Sequence, residues 1–359
     1  MSSDAASTMV GTIPVGERDR LDLDRLTAWM TESVEGFAGP LRYAKFAGGQ
    51  SNPTYRLDTP ARAYVLRRKP FGPILPSAHA VEREYAVIAG LHPTGFPVPR
   101  PYGLCEDPDV IGAPFYVMEM VEGRTIWDGA MPGATPAERR AHYDAMIDAL
   151  AALHNTDYAA AGLASYGKPG NYFERQVGRW TKQYRAAETE RMESVERLID
   201  WLPRTLPDQT RTSIVHGDYR IDNMIFAHAT DGAGAKVIAV LDWELSTLGD
   251  PLADFSYMLM SWVTEPEGRS GVLGLTGPET GIPTIEQVVA RYCAATGRDG
   301  VPDLNWYFAY NLFRLTGIVQ GIKKRIIDGT ASSAQAEATV AKVHALADAA
   351  WGFAVKAGA

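Results

Sequence analysis

Asp218, Asn223 and Asp242 are the residues in this chain whose types and spacing carry chemistry. The first two lie in Ile214-Val215-His216-Gly217-Asp218-Tyr219-Arg220-Ile221-Asp222-Asn223-Met224-Ile225-Phe226, and the third ends Val237-Ile238-Ala239-Val240-Leu241-Asp242. The short apolar runs read as small buried strands. Asp231-Gly232 lies in the turn-rich stretch between Phe226 and Val237, so the runs on either side predict a hairpin. A hairpin returns Asp242 to the Asp218–Asn223 loop, where two carboxylates and an amide converge. Phosphoryl transfer needs such a set, because its catalysis is mostly positioning and charge neutralisation. One Asp accepts or orients a hydroxyl proton, while an Asn and a second Asp hold Mg²⁺ against nucleotide phosphates. The plainer alternative is a hairpin with solvated polar ends, since Asx residues favour turns. It leaves the joint presence of His-Gly-Asp, the Asn and the strand-terminal Asp unexplained.

The order His-x-Asp, then Asn, then a strand-terminal Asp is that of the kinase signature. His216-Gly217-Asp218 with Asn223, together with Leu241-Asp242-Trp243, resembles the aminoglycoside phosphotransferase-like family of small-molecule kinases. The resemblance runs from about Leu41 to about Ile327 and includes Gly249-Asp250-Pro251-Leu252-Ala253-Asp254-Phe255. Leu66-Arg67-Arg68-Lys69-Pro70 and the stretch from Pro76 to Tyr85 are similar to the branch fused to, or encoded beside, acyl-CoA dehydrogenases. The implied fold is α+β and bilobal, like a protein kinase, with a small antiparallel-sheet N-lobe and a mostly helical C-lobe. The expected divisions are a flexible tail over 1–20, a nucleotide-binding lobe over 21–121 and a catalytic, acceptor-binding lobe over 122–359.

In the first lobe, Leu26, Trp29, Met30, Val34 and Phe37 recur at helical spacing and predict a helix over about 21–38. Three strands are expected at about 41–47, 54–58 and 63–69. Gly48-Gly49-Gln50-Ser51-Asn52, between the first two, is the expected phosphate cover, although a Gly-Gly pair alone is a weak signal. The third strand should supply a cation for the α- and β-phosphates. The position where the family usually has Lys is Arg67, which stays charged and offers a fork of donors. Lys69 is the alternative on the same strand face, and Arg68 reads as a solvated strand end. Ser77 is the expected cap of the next helix. Glu84 falls where the resemblance places the acid that orients the strand cation, and Glu82 is expected to face solvent. The resemblance makes the backbone from about Glu119 through Met120 to Val121 the hinge that meets adenine.

In the second lobe, Thr135-Pro136-Ala137-Glu138 starts a helix. Residues 171–201 predict a long, bent helical region. Its Arg175, Arg179 and Lys182 form either a solvated face or a substrate wall for an anionic acceptor. Such a wall would disfavour a polycationic aminoglycoside. Tyr310 and Arg314 are further acceptor-pocket candidates, beside the alternative that they belong to a core stripe. His154, His216 and Asp254 are expected to be structural, with Asp254 holding backbone amides of the catalytic loop as the resemblance implies.

The chain has 359 residues, 46% hydrophobic and 22% charged, with formal charge −8. That charge argues against non-specific nucleic-acid binding. No apolar run has the length of a membrane span, and residues 1–20 lack a signal pattern. Cys105 and Cys293 are expected as reduced thiols of a cytoplasmic protein. There is no Gly-x4-Gly-Lys-Ser/Thr loop and no zinc pattern. A protein kinase is disfavoured because Asp242 is followed by Trp243-Glu244 and no activation segment. The expectation is an ATP- and Mg²⁺-dependent phosphotransferase acting on a small-molecule hydroxyl. By branch resemblance the acceptor is a hydroxy acid or hydroxyacyl-CoA, with a functional link to an acyl-CoA dehydrogenase. The rival readings are an antibiotic kinase and a catalytically weak nucleotide-binding regulator.

Overall fold

The computed structural model describes residues 11–47, 52–71, 79–228, 234–266, 270–329 and 334–359. The first lobe is one antiparallel sheet: β1 (Thr12–Ile13), β2 (Arg42–Phe46), β3 (Thr54–Asp58), β4 (Ala63–Arg68), β5 (Pro101–Cys105) and β6 (Phe115–Glu119), in the order β1-β2-β3-β4-β6-β5. Alternation along the strands decides its two faces. Tyr55, Leu57, Tyr64 and Leu66 enter a core shared with Leu26, Met30 and Phe115. Thr54, Arg56, Val65 and Arg67 point the other way, into a cleft.

Helix α1 (Leu23–Ser33) covers the core face and helix α2 (Val81–Leu91) follows β4. Asp22 caps α1 by accepting from Arg25 N–H at 3.1 Å. The helix ends at Ser33, five residues before the expected 38, with Gly36 at φ 72° in the turn that follows. No side chain caps α2, and Ser77 lies outside the described residues.

Arg68 corrects one expectation. It keeps the parity of Tyr64 and Leu66, so its side chain enters the core rather than solvent, and it is 1% exposed. Tyr55 OH accepts from its Nε at 3.1 Å, Lys69 O from NH1 at 2.8 Å, and Asp19 from NH2 at 3.1 Å. The Phe71 ring lies under the guanidinium at 3.6 Å. Asp19 also pairs with Lys45 at 2.6 Å. A second correction follows: residues 11–20 are not a loose tail. Thr12 and Ile13 pair with Phe46 and Lys45, and Ala47 N–H donates to Gly11 O at 3.0 Å.

The second lobe contains α3 (Pro136–Asn155), α4 (Tyr172–Ala187), α5 (Glu193–Trp201), α6 (Leu252–Leu259), α7 (Ile285–Thr296), α8 (Leu304–Ile327), α9 (Ala334–Val340) and α10 (Val343–Lys356). Thr135 and Glu138 form a reciprocal capping box at the start of α3. The expected single bent helix over 171–201 is two helices, α4 and α5, because the chain is extended at Glu188 and again at Met192. Phe173, Trp306, Tyr307 and Tyr310 pack edge to face or stacked between α4 and α8.

Two small sheets lie between the lobes: β7 (Arg124–Thr125), β9 (Met224–Phe226) and β10 (Val237–Val240), in the order β10-β9-β7, and β8 (Ser213–Val215) with β11 (Thr247–Gly249). β9 and β10 form the expected antiparallel hairpin, with Val240 opposite Met224. Ile214-Val215 pairs instead with Leu248 and Thr247. Gly123, on the connection between lobes, is there for space. A Cβ would come within 2.4 Å of Ile225 and of Phe226 O.

Replacing Asp19 by Ala should leave one arm of the buried Arg68 without its carboxylate and release residues 11–20 from the sheet edge. Asp19 is 25% exposed, so the expected loss is about 1–2 kcal/mol. It should show as a lower urea midpoint with an unchanged slope.

Candidate active site

The loop between β8 and β9, which carries Asp218 and Asn223, is built by hydrogen bonds to its backbone. Asp254, 1% exposed at the start of α6, accepts from His216 N–H at 2.5 Å and from Gly217 N–H at 2.8 Å. His154 Nε2 stands 3.6 Å behind the same carboxylate, and burial lowers the His154 pKa. His216 spans the hairpin, its Nε2 2.8 Å from Leu241 O, and its ring packs on Trp243 with centroids 4.6 Å apart. Arg314 closes the other side by donating to Gly217 O at 2.7 Å. Gly217 itself sits at φ 87°, and a Cβ there would meet Leu245 O at 2.7 Å.

The loop and the hairpin bring the chemistry-bearing side chains together. Asn223 Nδ2 donates to Asp218 O at 2.9 Å and to Asp218 Oδ2 at 3.1 Å. These bonds orient the amide and leave Oδ1 as the atom able to meet a cation. Leu241 N–H donates to Asn223 O at 2.8 Å, so Asp242 emerges directly beside Asn223. Asp242 has φ 66°, ψ 61°, a left-handed conformation uncommon outside glycine that Asp tolerates better than most residues. Asp222, Asn223 and Asp242 line a cavity of about 590 Å³ between the lobes, within the size range of small-ligand sites.

Arg67 reaches this floor from the sheet above. Its Nε lies 2.8 Å from Glu84 Oε2, and its NH2 donates to Asp242 Oδ1 at 2.8 Å. Glu84, 1% exposed, also receives Asn52 Nδ2 at 2.6 Å and Tyr116 OH at 3.1 Å. Burial raises the Glu84 pKa, while Arg67 and the two donors act against that rise. Burial opposes the charge on Arg67, and Glu84, Tyr116 and Asp242 outweigh it, so its pKa is raised. Lys69 pairs with Glu82 at 2.8 Å and does not line the cavity. Glu82 thus has a partner where solvent was expected.

The remaining candidates fall in different places. Gly48, Gly49, Gln50 and Ser51 lie outside the described residues. Asn52 turns its side chain inward to Glu84 rather than into the cleft, with its Oδ1 3.0 Å from His79 Nδ1. Glu119, Met120 and Val121 line the cavity, and Glu119 N–H is already given to Arg100 O at 2.8 Å. Arg175 bonds Gly170 O and Lys168 O, and with exposed Arg179 and Lys182 it borders a shallow surface dip on α4, apart from the cavity. Tyr310 is buried against Trp306, and Arg314 is buried under the loop between β8 and β9.

The sequence reading passed over Arg220 and Tyr257. Arg220 Nε lies 3.4 Å from Asp218 Oδ1, and its NH2 3.2 Å from Asp222 Oδ2. Burial raises the Tyr257 pKa, and the nearby Asp218 carboxylate adds to that rise. The signal for Tyr257 was its spacing: it follows Asp254 by three helical residues and shares its face.

The model of the phosphotransferase enzyme family matches residues 42–302. The chain belongs to that family. Its curated relatives include mouse acyl-CoA dehydrogenase family member 10, 46% identical over 323 residues, which cover 89% of this chain and 30% of the relative. Chicken acyl-CoA dehydrogenase family member 11 is 41% identical over 94% of this chain and 44% of its own length. The chain therefore spans less than half of each of these relatives. A crystal structure from Ralstonia eutropha JMP134, provisionally named an aminoglycoside phosphotransferase, superposes with TM-score 0.86 at 49% identity, covering 94% of this chain and 99% of that one. A thermostable mutant of aminoglycoside phosphotransferase APH(4)-Ia, solved with ADP and hygromycin B, shares the fold at TM-score 0.56 and 15% identity, over 91% of this chain and 97% of that one. Both solved structures share the two-lobed kinase-like fold. Among the described residues, no helix is long and apolar enough to cross a membrane.

Gly217→Ala should cost at least about 2 kcal/mol, from the left-handed backbone and the contact with Leu245. The loss should appear as a lowered thermal midpoint. The rise in mobility should be concentrated in residues 214–224 when followed by amide hydrogen exchange.

Proposed function

We propose that the chain is an ATP- and Mg²⁺-dependent phosphotransferase acting on the hydroxyl of a small molecule. The observation that supports this most is the meeting of Asp218, Asn223 and Asp242 at the end of one hairpin, under a cavity able to admit a nucleotide. Family membership supports the reaction class.

The donor set fits the metal. Asn223 Oδ1 and the Asp242 carboxylate are hard oxygen ligands, and Mg²⁺ is usually held by one or two carboxylates, phosphates and water rather than by an all-protein cage. Held by these two residues, the ion would neutralise negative charge on the nucleotide phosphates.

The chain's own residues supply the rest. Val65, Ile88, Met118, Ile225 and Val240 give the cavity apolar walls for a base. With Glu119 N–H occupied, base recognition falls to the backbone of Met120 and Val121. Arg67, held by Glu84, places a fixed positive charge beside Asp242 for the α- and β-phosphate oxygens. Asp218 orients the acceptor hydroxyl and takes its proton as the phosphoryl group transfers in line. Arg220 lies against the same carboxylate and offsets its charge.

The acceptor we favour is a hydroxy acid or a hydroxyacyl-CoA, because the relatives named above are acyl-CoA dehydrogenase family members. A screen of hydroxylated acids, their CoA thioesters, choline and aminoglycosides for ATP-dependent phosphorylation tests this choice. Turnover confined to aminoglycosides would overturn it.

Asp218→Asn should lower kcat by at least about a thousandfold while leaving ATP-analogue affinity within severalfold, by calorimetry. Full turnover in that variant would remove Asp218 from its role. Arg67→Lys keeps the charge but cannot reach Glu84 and Asp242 with separate arms. It should raise KM for ATP by about tenfold, read from initial rates at saturating acceptor.

A further inference from the structure

Asn52 lies just before β3 and is not among the residues lining the nucleotide cavity. It directly follows Gly48-Gly49-Gln50-Ser51 in sequence. Two residues later comes Thr54, whose partner across the sheet is Arg67. The Asn52 side chain is fully buried, so both ends of its amide need partners. Nδ2 donates to Glu84 Oε1 at 2.6 Å, and Oδ1 lies 3.0 Å from His79 Nδ1. An ionised carboxylate only accepts, so Glu84 fixes which end of the amide faces it. His79 then carries a proton on Nδ1 and donates to Oδ1.

Glu84 divides its two oxygens. Oε2 serves Arg67 Nε at 2.8 Å and Tyr116 OH at 3.1 Å, while Asn52 is the partner of Oε1 among the described residues. The last torsion of a glutamate is soft. Without Asn52 the carboxylate would be free to turn, and the oxygen facing Arg67 would leave its place. His79 adds a second observation. Its backbone has φ 59°, a left-handed conformation uncommon outside glycine. It sets the ring against Asn52 immediately ahead of α2, the helix that carries Glu84. Such conformations persist where the surroundings over-determine them, and they cluster at functional sites. The contacts run from His79 to Asn52 to Glu84 to Arg67 and end on the cation beside Asp242.

We propose that Asn52 is a positioning residue for the nucleotide phosphates: it acts through Glu84 on the Arg67 guanidinium, and His79 sets the orientation of its amide. Its effect falls on the part of the nucleotide that Arg67 meets, the α- and β-phosphates. It spares the base, whose apolar walls are Val65, Ile88, Met118, Ile225 and Val240. A merely structural role would weaken the binding of base and phosphates alike.

The inference rests on the kinase reading above, and calorimetry with adenosine and with Mg·ADP separates the two. In Asn52→Ala, Mg·ADP should bind about tenfold more weakly, with adenosine within about twofold of wild type. His79→Ala removes the orienting bond and leaves Nδ2 its carboxylate, so Mg·ADP should weaken by about threefold and adenosine should not move. That variant decides the matter if Asn52→Ala does not fold. Equal losses for the two ligands, or an Mg·ADP affinity that stays at the wild-type value, would overturn the proposal and leave the kinase reading in place. A wild-type chain that binds neither Mg·ADP nor Mg·ATP would overturn the kinase reading, and the role of Asn52 with it.

Discussion

One guanidinium, that of Arg67, ties together the strand, the helix and the hairpin end that must meet. It carries a cation from β4 to Glu84 of α2 on one side and to Asp242 of the second lobe on the other. Burying such a set is expensive, because desolvation offsets most of the attraction between the charges. The arrangement is therefore better understood as specifying geometry than as adding stability. Glu84 shows the same logic: its carboxylate is satisfied by Arg67, Asn52 and Tyr116, so it has little freedom to turn. Arginine suits this place better than a lysine would, because its separate arms reach two carboxylates at once.

A second tie between the lobes lies beside the first. Arg83, one residue before Glu84, donates to Tyr166 O at 2.8 Å, and the Tyr166 ring lies 4.4 Å from its guanidinium. The Tyr166 hydroxyl then meets Ser246 Oγ at 2.6 Å, just beyond Asp242. Helix α2 is thus fastened at adjacent residues to Asp242 and to the segment that follows it. A shift of that helix would move Arg67 and Asp242 together, and this keeps the spacing at the cavity floor.

The loop between β8 and β9 is held in a different way. It has almost no regular structure of its own, so its amides and carbonyls are held by buried side chains from α6 and α8, and its own His216 reaches the backbone just after β10. Asp254 takes two amides, Arg314 gives to one carbonyl, and His216 reaches across to Leu241. Unpaired buried polar groups are costly, so the loop has one arrangement that satisfies them all. Asp218 inherits its position from that requirement.

The hairpin, the Asp218–Asn223 spacing and the strand-terminal Asp242 were legible because each depends on residues close in sequence: apolar runs, turn residues and a five-residue offset. Strand alternation put Arg67 and Lys69 on one face of β4, but Arg68 was read as a solvated strand end, and only the packing of Tyr55, Phe71 and Asp19 around its guanidinium places it in the core. Other features depend on groups far apart in the chain. No local pattern announces that Asp19 meets Arg68, that Asn52 turns to Glu84, or that Arg220 closes on Asp218. The basic run Arg175, Arg179 and Lys182 suggested a substrate wall, yet its helix places it on a surface dip away from the cavity. Sequence determined which chemistry the chain carries, because residue type and short spacing are local properties. Tertiary structure alone decided which charges share a carboxylate and which face the cleft, because long-range packing brings such groups within a hydrogen bond of each other.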